Sequence, residues 1–400
     1  MSTPNPPIPI NEMERIITLS EYDLDYSGLE NNFKDIIHLA ARVAGTEISL
    51  INLIDSFTQW SIAHHGLDVD QMPREDSVCQ YTIMGDDHFE VEDLSADARF
   101  TDKFYVDKPL NLRYYFGIPL KTNSGFNIGA LCVLDTNFKK LTPEKVELLK
   151  LIANEIVNRL NTIKLLQELK TKLNDAKETQ KRVAHDIRGP LSGIIGLSEI
   201  ISERGNENQL DEVIDFVNLI HKSSRSILDL ANEILTEEKK RLGETKGDGF
   251  NLAVFKEKLE KLYLPQAQNK SIALTINTDP KLATIPISKN KLLQIVGNLI
   301  SNAIKFTPPN GSVTVDLGLA LEMNKKTLKI TVSDTGEGLS KESISNILHG
   351  SQSSSEGTSG ESGYGFGLAM VKHLVDSLKG KMGITSEEGK GAKFEITISQ

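Results

Sequence analysis

Apolar side chains recur along this chain with several different spacings, and each spacing marks a different kind of element. Leu166, Leu169, Leu173, Ala176, Gln180, Val183 and Ile187 alternate steps of three and four, a coiled-coil seam with one polar member. A second seam of matching length runs through Val213, Phe216, Ile220, Ser223, Ile227, Leu230 and Ile234. Turn material at Gly205 to Asn208 lies between them and predicts an antiparallel helical hairpin; two such hairpins make a four-helix bundle. Thr142 and Pro143 suit a helix start, so one helix is expected to run from there into the first seam. Successive steps of three from Leu160 to Leu169 would locally overwind a coiled coil.

Either side of the seams the pattern changes. After a Pro-rich arm over the first ten or so residues, Asn11 to about Arg42 reads as helix, with Phe33, Ile36, Ile37, Ala40 and Val43 at helical spacing. Strand-like runs follow at Glu47 to Ile54, Trp60 to Ala63, Phe89 to Val91, Tyr114 to Ile118 and Ile128 to Leu134, which predicts an α+β module around an antiparallel sheet. Beyond about Gly249, a segment opening at Lys289 is helical, with Leu292, Leu293, Ile295, Val296, Leu299, Ile300, Ala303 and Ile304 apolar. The runs SVTVDLGL and TLKITVSD then alternate with period two around a turn at Asn324 to Lys326.

A chain of 400 residues exceeds what one core normally holds, so several domains are expected. Its 39% apolar and 25% charged residues are ordinary for globular material, and a net charge of -10 argues against a nucleic-acid binder built on phosphate contacts. Two cysteines, Cys79 and Cys132, make no disulfide framework and suit a reducing compartment. No apolar run approaches the eighteen or so residues of a membrane helix, and MSTPNPPIPI lacks the basic region and apolar core of a signal peptide. A cytoplasmic location is expected.

Candidate chemistry lies in three places. Were Val183 and Ile187 to point into the seam, His185 between them would be offered to water, with Asp186 beside it and a kink expected where Gly189 and Pro190 interrupt the helix. The plain alternative is a solvated surface imidazole. On the downstream helix Asn298, Asn302 and Lys305 share one stripe, costly in a buried helix unless a ligand meets them. An amide carbonyl suits Mg²⁺ and a lysine suits phosphate; solvated helix polars are the alternative reading. The second strand ends in Asp334-Thr-Gly336-Glu-Gly338, where an acid can accept an exocyclic amine and glycines let backbone approach a flat ligand. A Ser/Gly-rich stretch then leads into Gly363-Tyr-Gly365-Phe-Gly367, opening a helix whose amides suit a polyphosphate. Elsewhere, Cys79 reads as a buried structural thiol. Of the pair His64 and His65, one is expected to pack and one to be solvated, and Trp60, Tyr114, Tyr115 and Phe116 as core or interface aromatics.

The lines FEVEDLSADARF from Phe89, LRYYFGIPL and IGALCVLD resemble a GAF domain, over residues 13–162. That resemblance implies a small-molecule ligand or a purely dimerising role. His185, Asp186, Ile187, Arg188, Gly189 and Pro190 resemble the phosphoacceptor motif of the dimerisation and histidine-phosphotransfer domain of sensor histidine kinases, over residues 163–247. Gly189 departs from it: phosphatase-active members place an amide or hydroxyl there, so little phosphatase activity is expected. Residues 248–400 resemble the Bergerat ATP-binding fold of histidine kinases, type II topoisomerases, mismatch-repair ATPases and a heat-shock chaperone, with Ile347 and Leu348 where a Phe-containing segment often precedes the lid. By that resemblance Asn302 ligates Mg²⁺ with Asn298 in support, and Lys305 meets phosphate. Phe306 lies against the nucleotide, Asp334 reads the adenine amine, and Gly336, Gly338, Gly363, Gly365 and Gly367 shape pocket and lid.

The expected architecture is thus multidomain: an α+β GAF sensor domain, a helical hairpin forming a dimeric four-helix bundle, and an α/β sandwich ATP domain. The expected function is a cytosolic homodimeric sensor histidine kinase that autophosphorylates His185 from Mg-ATP, Asp186 assisting, and passes the phosphoryl group to a response-regulator aspartate. A Bergerat-fold ATPase and a non-phosphorylating ligand-controlled scaffold are the other classes.

Overall fold

The computed structural model describes residues 7–205, 209–237, 250–287, 291–322, 325–348, 358 and 366–399. These fall into two compact units, one of residues 1–165 with 249–400 and one of 166–248.

The first unit opens with α1 (Glu12–Ser20) and α2 (Glu30–Ala44), where the apolar spacing had suggested one helix. The segment between them, rich in Asp, Tyr, Ser and Gly, has poor helix propensity, and Asp23 takes a positive φ of 44° that no helix continues through. Six strands follow: β1 (Ile48–Ile54), β2 (Thr58–His65), β3 (Gln71–Pro73), then, after the short helix α3 (Cys79–Thr82), β4 (Phe89–Val91), β5 (Tyr114–Lys121) and β6 (Asn127–Asp135). They pair antiparallel in the order β3-β2-β1-β6-β5-β4. β3 escapes the sequence reading because three residues carry no periodicity, and Pro73 suits an edge position, where no ladder hydrogen bond is demanded of it. β1 is buried on both faces, which is why ISLINLI shows no clean alternation. One face packs on Phe33, Ile37 and Ala40 of α2 and on Leu149, Ile156 and Leu160 of α4 (Pro143–Arg204). The other packs on Val78, Cys79, Leu94, Phe100 and Leu112. Trp60, Tyr114, Tyr115 and Phe116 are core residues. His64 and His65 are both half-buried, His65 with its ring 4.0 Å from that of His38, so neither is simply solvated.

In the second unit α4 continues as helix to Arg204 and α5 spans Leu210–Glu237. Contrary to the expected interruption, the helix runs through Gly189 and Pro190. Proline costs the helix one hydrogen bond and a local clash, and the turns on both sides hold it. Gly205 follows with a φ of 49°, ending the helix. Val213, Phe216, Ile220, Ser223 and Ile227 are half-buried along α5, whereas Leu166, Leu169 and Leu173 on α4 stay exposed. The side chains of Leu230 and Ile234 lie outside the described residues.

The remainder of the first unit is α6 (Leu252–Asn269), β7 (Ala273–Thr278), α7 (Leu292–Phe306), β8 (Ser312–Glu322), β9 (Lys325–Asp334), α8 (Lys341–Leu348), α9 (Gly367–Ser377), β10 (Lys381–Ser386) and β11 (Ala392–Ser399). Its sheet has the order β10-β11-β9-β8-β7, antiparallel except for the β7–β8 pair. Alternate residues of β8, β9 and β11, among them Val315, Ile330 and Ile396, face α6, α7 and α9 across one apolar core, an α/β sandwich.

Within the first unit a buried charge cluster fixes the turn between β1 and β2. Glu12 accepts from Arg15 Nε and Nη2, each at 2.8 Å, and from Arg74; Arg15 also donates to the Ile54 carbonyl at 2.7 Å, and Arg74 to that of Asp55 at 3.2 Å. Burial alone would raise the Glu12 carboxyl's pKa, and the two guanidiniums outweigh it and hold it below the usual range. A lowered folded-state pKa contributes stability present above the unfolded value and lost as pH falls through the folded one. Glu12→Gln is therefore expected to cost about 3–5 kcal/mol in urea unfolding at neutral pH, the magnitude for breaking a buried pair, with the gap to wild type closing in acid. Equal midpoints at neutral pH would remove the cluster's structural role.

Candidate functional site

Helix α7 places the polar stripe. Leu292, Ile295, Val296, Leu299, Ile300 and Ala303 bury it in the sandwich core, and Asn298, Asn302 and Lys305 are themselves only 5%, 6% and 6% exposed. They are not solvated helix polars. Asn298 Nδ2 donates to the Gln294 carbonyl at 2.9 Å, which turns its oxygen outward from the helix. The Asn302 amide has no hydrogen-bond partner among the described residues, so its carbonyl oxygen is available to a hard cation. The Lys305 ammonium sits 4.9 Å from the centre of the Phe306 ring and 5.6 Å from that of Phe57.

The end of α7 meets the end of β9. Glu337 donates its backbone N–H to the Phe306 carbonyl at 3.2 Å, and a β-carbon at Gly336 would stand 2.3 Å from that same oxygen, so only glycine fits. Gly338 has a φ of 70°, and a β-carbon there would meet the Glu387 carbonyl at 2.2 Å. Asp334 Oδ1 accepts from the N–H groups of Gly336 at 2.9 Å and Ala392 at 3.2 Å. This anchors one carboxylate oxygen and leaves Oδ2 to accept from a ligand amine. Burial pushes the Asp334 carboxyl above its ordinary range against these two bonds. At the far side α9 opens at Gly367, where a β-carbon would lie 3.5 Å from Asn298 Oδ1. Gly363 and Gly365 lie outside the described residues. Asn298, Asn302, Lys305 and Phe306 thus share α7, whose last carbonyl is bonded to the turn holding Asp334, Gly336 and Gly338, while Gly367 lies beside Asn298. Asn302 and Asn298 offer the oxygens that would hold Mg²⁺, whose charge would screen a polyphosphate.

Three neighbours have no signal in the sequence. Lys270, just past α6, donates to the Lys305 carbonyl and, at 2.8 Å, to Thr358 Oγ1, closing the last turn of α7. Thr358 in turn donates its backbone N–H to the Lys305 carbonyl at 3.3 Å. Phe57, from the β1–β2 turn, lies so close that a β-carbon at Gly367 would come within 2.3 Å of its ring. A cavity of about 1190 Å³ extends away from this point past Trp60, Gln266 and Lys270; it reaches Lys305 but not Asp334.

In the helical unit His185 is 86% exposed, and its Nδ1 stands 3.1 Å from Asp186 Oδ1. That contact leaves Nε2 pointing to solvent.

Family models match three stretches: GAF domain over residues 28–160, His Kinase A (phospho-acceptor) domain over 175–243, and histidine kinase-, DNA gyrase B- and HSP90-like ATPase over 287–400. The chain is 37% identical over 160 residues to a cyclic di-GMP phosphodiesterase of Pseudomonas aeruginosa, covering 40% of this chain and 27% of that protein. It is 35% identical over 230 residues to an uncharacterised sensor-like histidine kinase of Rhizobium meliloti, covering 56% and 43%. Against the autoinducer 2 sensor kinase/phosphatase LuxQ of Vibrio vulnificus the identity is 32% over 225 residues, covering 54% and 26%. The chain spans less than half the length of each of these relatives. It carries the GAF, His Kinase A (phospho-acceptor) and histidine kinase-, DNA gyrase B- and HSP90-like ATPase domains in that order.

Two outcomes test this geometry. Asp334→Asn keeps an oxygen for Gly336 and Ala392 but turns the other atom into a donor, so ATP affinity should fall roughly ten- to a hundredfold in calorimetric titration. A folded-state pKa above the unfolded value means that ionised Asp334 subtracts stability once pH rises through it, so the variant should melt at the same or higher temperature at pH 7. Lost binding with a lower melting temperature would mean simple misfolding. Phe57→Ala should raise ATP affinity several-fold, because the ring occupies the approach to Gly367; an unchanged dissociation constant would rule out that occlusion.

Proposed function

We propose that this chain is an ATP-dependent protein-histidine kinase with His185 as phosphoacceptor. What supports the reading is the buried set Asn298, Asn302 and Lys305 on α7, a helix whose last carbonyl, that of Phe306, is bonded to the glycine turn after Asp334, in a chain whose phospho-acceptor domain holds an exposed imidazole. ATP is the substrate. Asp334 would accept the adenine amine through Oδ2, Phe306 would lie along the base, and Lys305 would meet the phosphates once turned from its rings. Bound Mg²⁺, held through Asn302 with Asn298 in support, would supply charge neutralisation at the β- and γ-phosphate oxygens.

Asp186, 3.1 Å from Nδ1, would hold the proton on that nitrogen and leave the lone pair on Nε2. Nε2 attacks the γ-phosphorus in line; an N–P bond forms, the bond to the bridging oxygen breaks, and ADP leaves. Little covalent work falls to the other residues, whose task is placement. The phosphoryl group is then passed to an aspartate carboxylate on a response-regulator receiver domain. Exposed Leu166, Leu169 and Leu173, with Ile214 and Val217, supply the apolar surface on which two copies would pair into a four-helix bundle. Domain limits of 13–162, 163–247 and 248–400 and a cytoplasmic location complete the reading.

The test is labelling from γ-³²P ATP followed by alkali-stable, acid-labile phosphoamino-acid analysis. Wild type is expected to acquire label on His185, and His185→Gln to acquire none while binding ATP within about twofold of wild type, since an exposed side chain is removed. Equal labelling of both proteins would sink the kinase reading, and ATP turnover without any labelled protein would favour an ATPase.

A further inference from the structure

The two cysteines lie 53 positions apart in sequence, yet their sulfurs stand 3.8 Å apart in the core of the six-stranded sheet. Cys79 opens α3 and Cys132 lies on β6; both are buried, 2% and 1% exposed. Their surroundings are polar in a way that an inert packed thiol does not need. Asn52 Nδ2 reaches both sulfurs, at 3.2 Å from Cys79 and 3.3 Å from Cys132, and is oriented by Ser61 Oγ, which donates to its carbonyl at 2.7 Å. Tyr115 Oη adds a bond to Cys79 Sγ at 3.3 Å, with Thr82 Oγ1 2.6 Å behind it. Cys132 faces the Leu50 carbonyl at 3.6 Å, an acceptor rather than a donor.

The pair is therefore asymmetric. Donors converge on Cys79; burial opposes its ionisation, but bonds from Cys132, Tyr115, Asn52 and Ser77 outweigh burial and hold the thiol below its ordinary range. Burial and the neighbouring Cys79 push Cys132 up. Beside both sulfurs is a cavity of about 30 Å³, bounded also by Leu50, Asn52 and Tyr115. That is more than the roughly 10–15 Å³ a water needs, and hydrogen peroxide is little larger.

We propose that Cys79 and Cys132 form a hydroperoxide-reactive pair inside the sensor domain, Cys79 attacking and Cys132 resolving. Cys79 thiolate attacks one peroxide oxygen; the S–O bond forms, the O–O bond breaks, and the leaving hydroxide takes a proton to become water. Cys132 then attacks the sulfenic sulfur, losing its proton as the S–S bond forms and the hydroxyl departs as a second water. Two electrons pass from the thiols to the peroxide, and the balance is two thiols plus one peroxide to one disulfide plus two waters. Closure from 3.8 Å to bonding distance, about 2.05 Å, asks for side-chain rotation at two positions already pointing at each other.

The full chain is to be treated with hydrogen peroxide, quenched, denatured and titrated for thiols, with non-reducing electrophoresis and peptide mapping. The expected result is two titratable thiols falling to none, a band at the mass of one chain, and a peptide linking Cys79 to Cys132. Cys132→Ser should stop at a sulfenic acid on Cys79 that dimedone captures, and Cys79→Ser should slow oxidation of Cys132 by about tenfold or more. The proposal fails if wild type keeps both thiols under conditions that fully oxidise glutathione. It fails equally if the cysteines oxidise separately with no linked peptide, or link only between chains. The wild-type readings decide the matter even should a variant fold poorly, and none of them depends on kinase activity.

Discussion

A helix that buries two amides and an ammonium inside an apolar sandwich must find partners for them, and that requirement organises the ATPase domain. The apolar faces of α7 fix its rotation, so Asn298, Asn302 and Lys305 are left with little contact with bulk water. Neighbouring groups meet that cost in part: the Gln294 carbonyl takes the Asn298 amide, and two rings take the Lys305 ammonium. The glycine turn after β9 brings the backbone to the end of the same helix, and Asp334 is held there by two N–H groups. Site and core are one construction, which ties nucleotide binding to the integrity of the fold.

Much of this was legible because it is periodic or local. The α7 stripe follows from a spacing of four and three, β8 and β9 from alternation, and the Asp334 turn from its glycines. What was not legible depends on contacts between distant segments or on local balances that spacing does not encode. Nothing in the sequence places Arg74 on Glu12, 62 positions away, or Phe57 against Gly367. The break between α1 and α2 was hidden because apolar residues keep helical spacing on both sides of a non-helical Asp23. Pro190 shows the opposite balance: a local breaker does not end the helix, which continues on both sides of it.

The same contrast applies to the GAF domain. Cys79 read alone is a buried small residue, and only the fold shows Asn52 reaching it and Cys132 together. The polar groups there are fully enclosed, so each donor has a specific recipient, and a change at one sulfur is felt by its partner and by Tyr115.

The β1–β2 turn carries a thermodynamic obligation. Arg15 and Arg74 fasten the carbonyls of Ile54 and Asp55, so Phe57 rests at the mouth of α9 on a rigid mount rather than a floppy loop. If nucleotide and that mount exclude one another, linkage makes the exclusion mutual: whatever factor the arrangement of this turn imposes on nucleotide binding, bound nucleotide imposes in return on the turn.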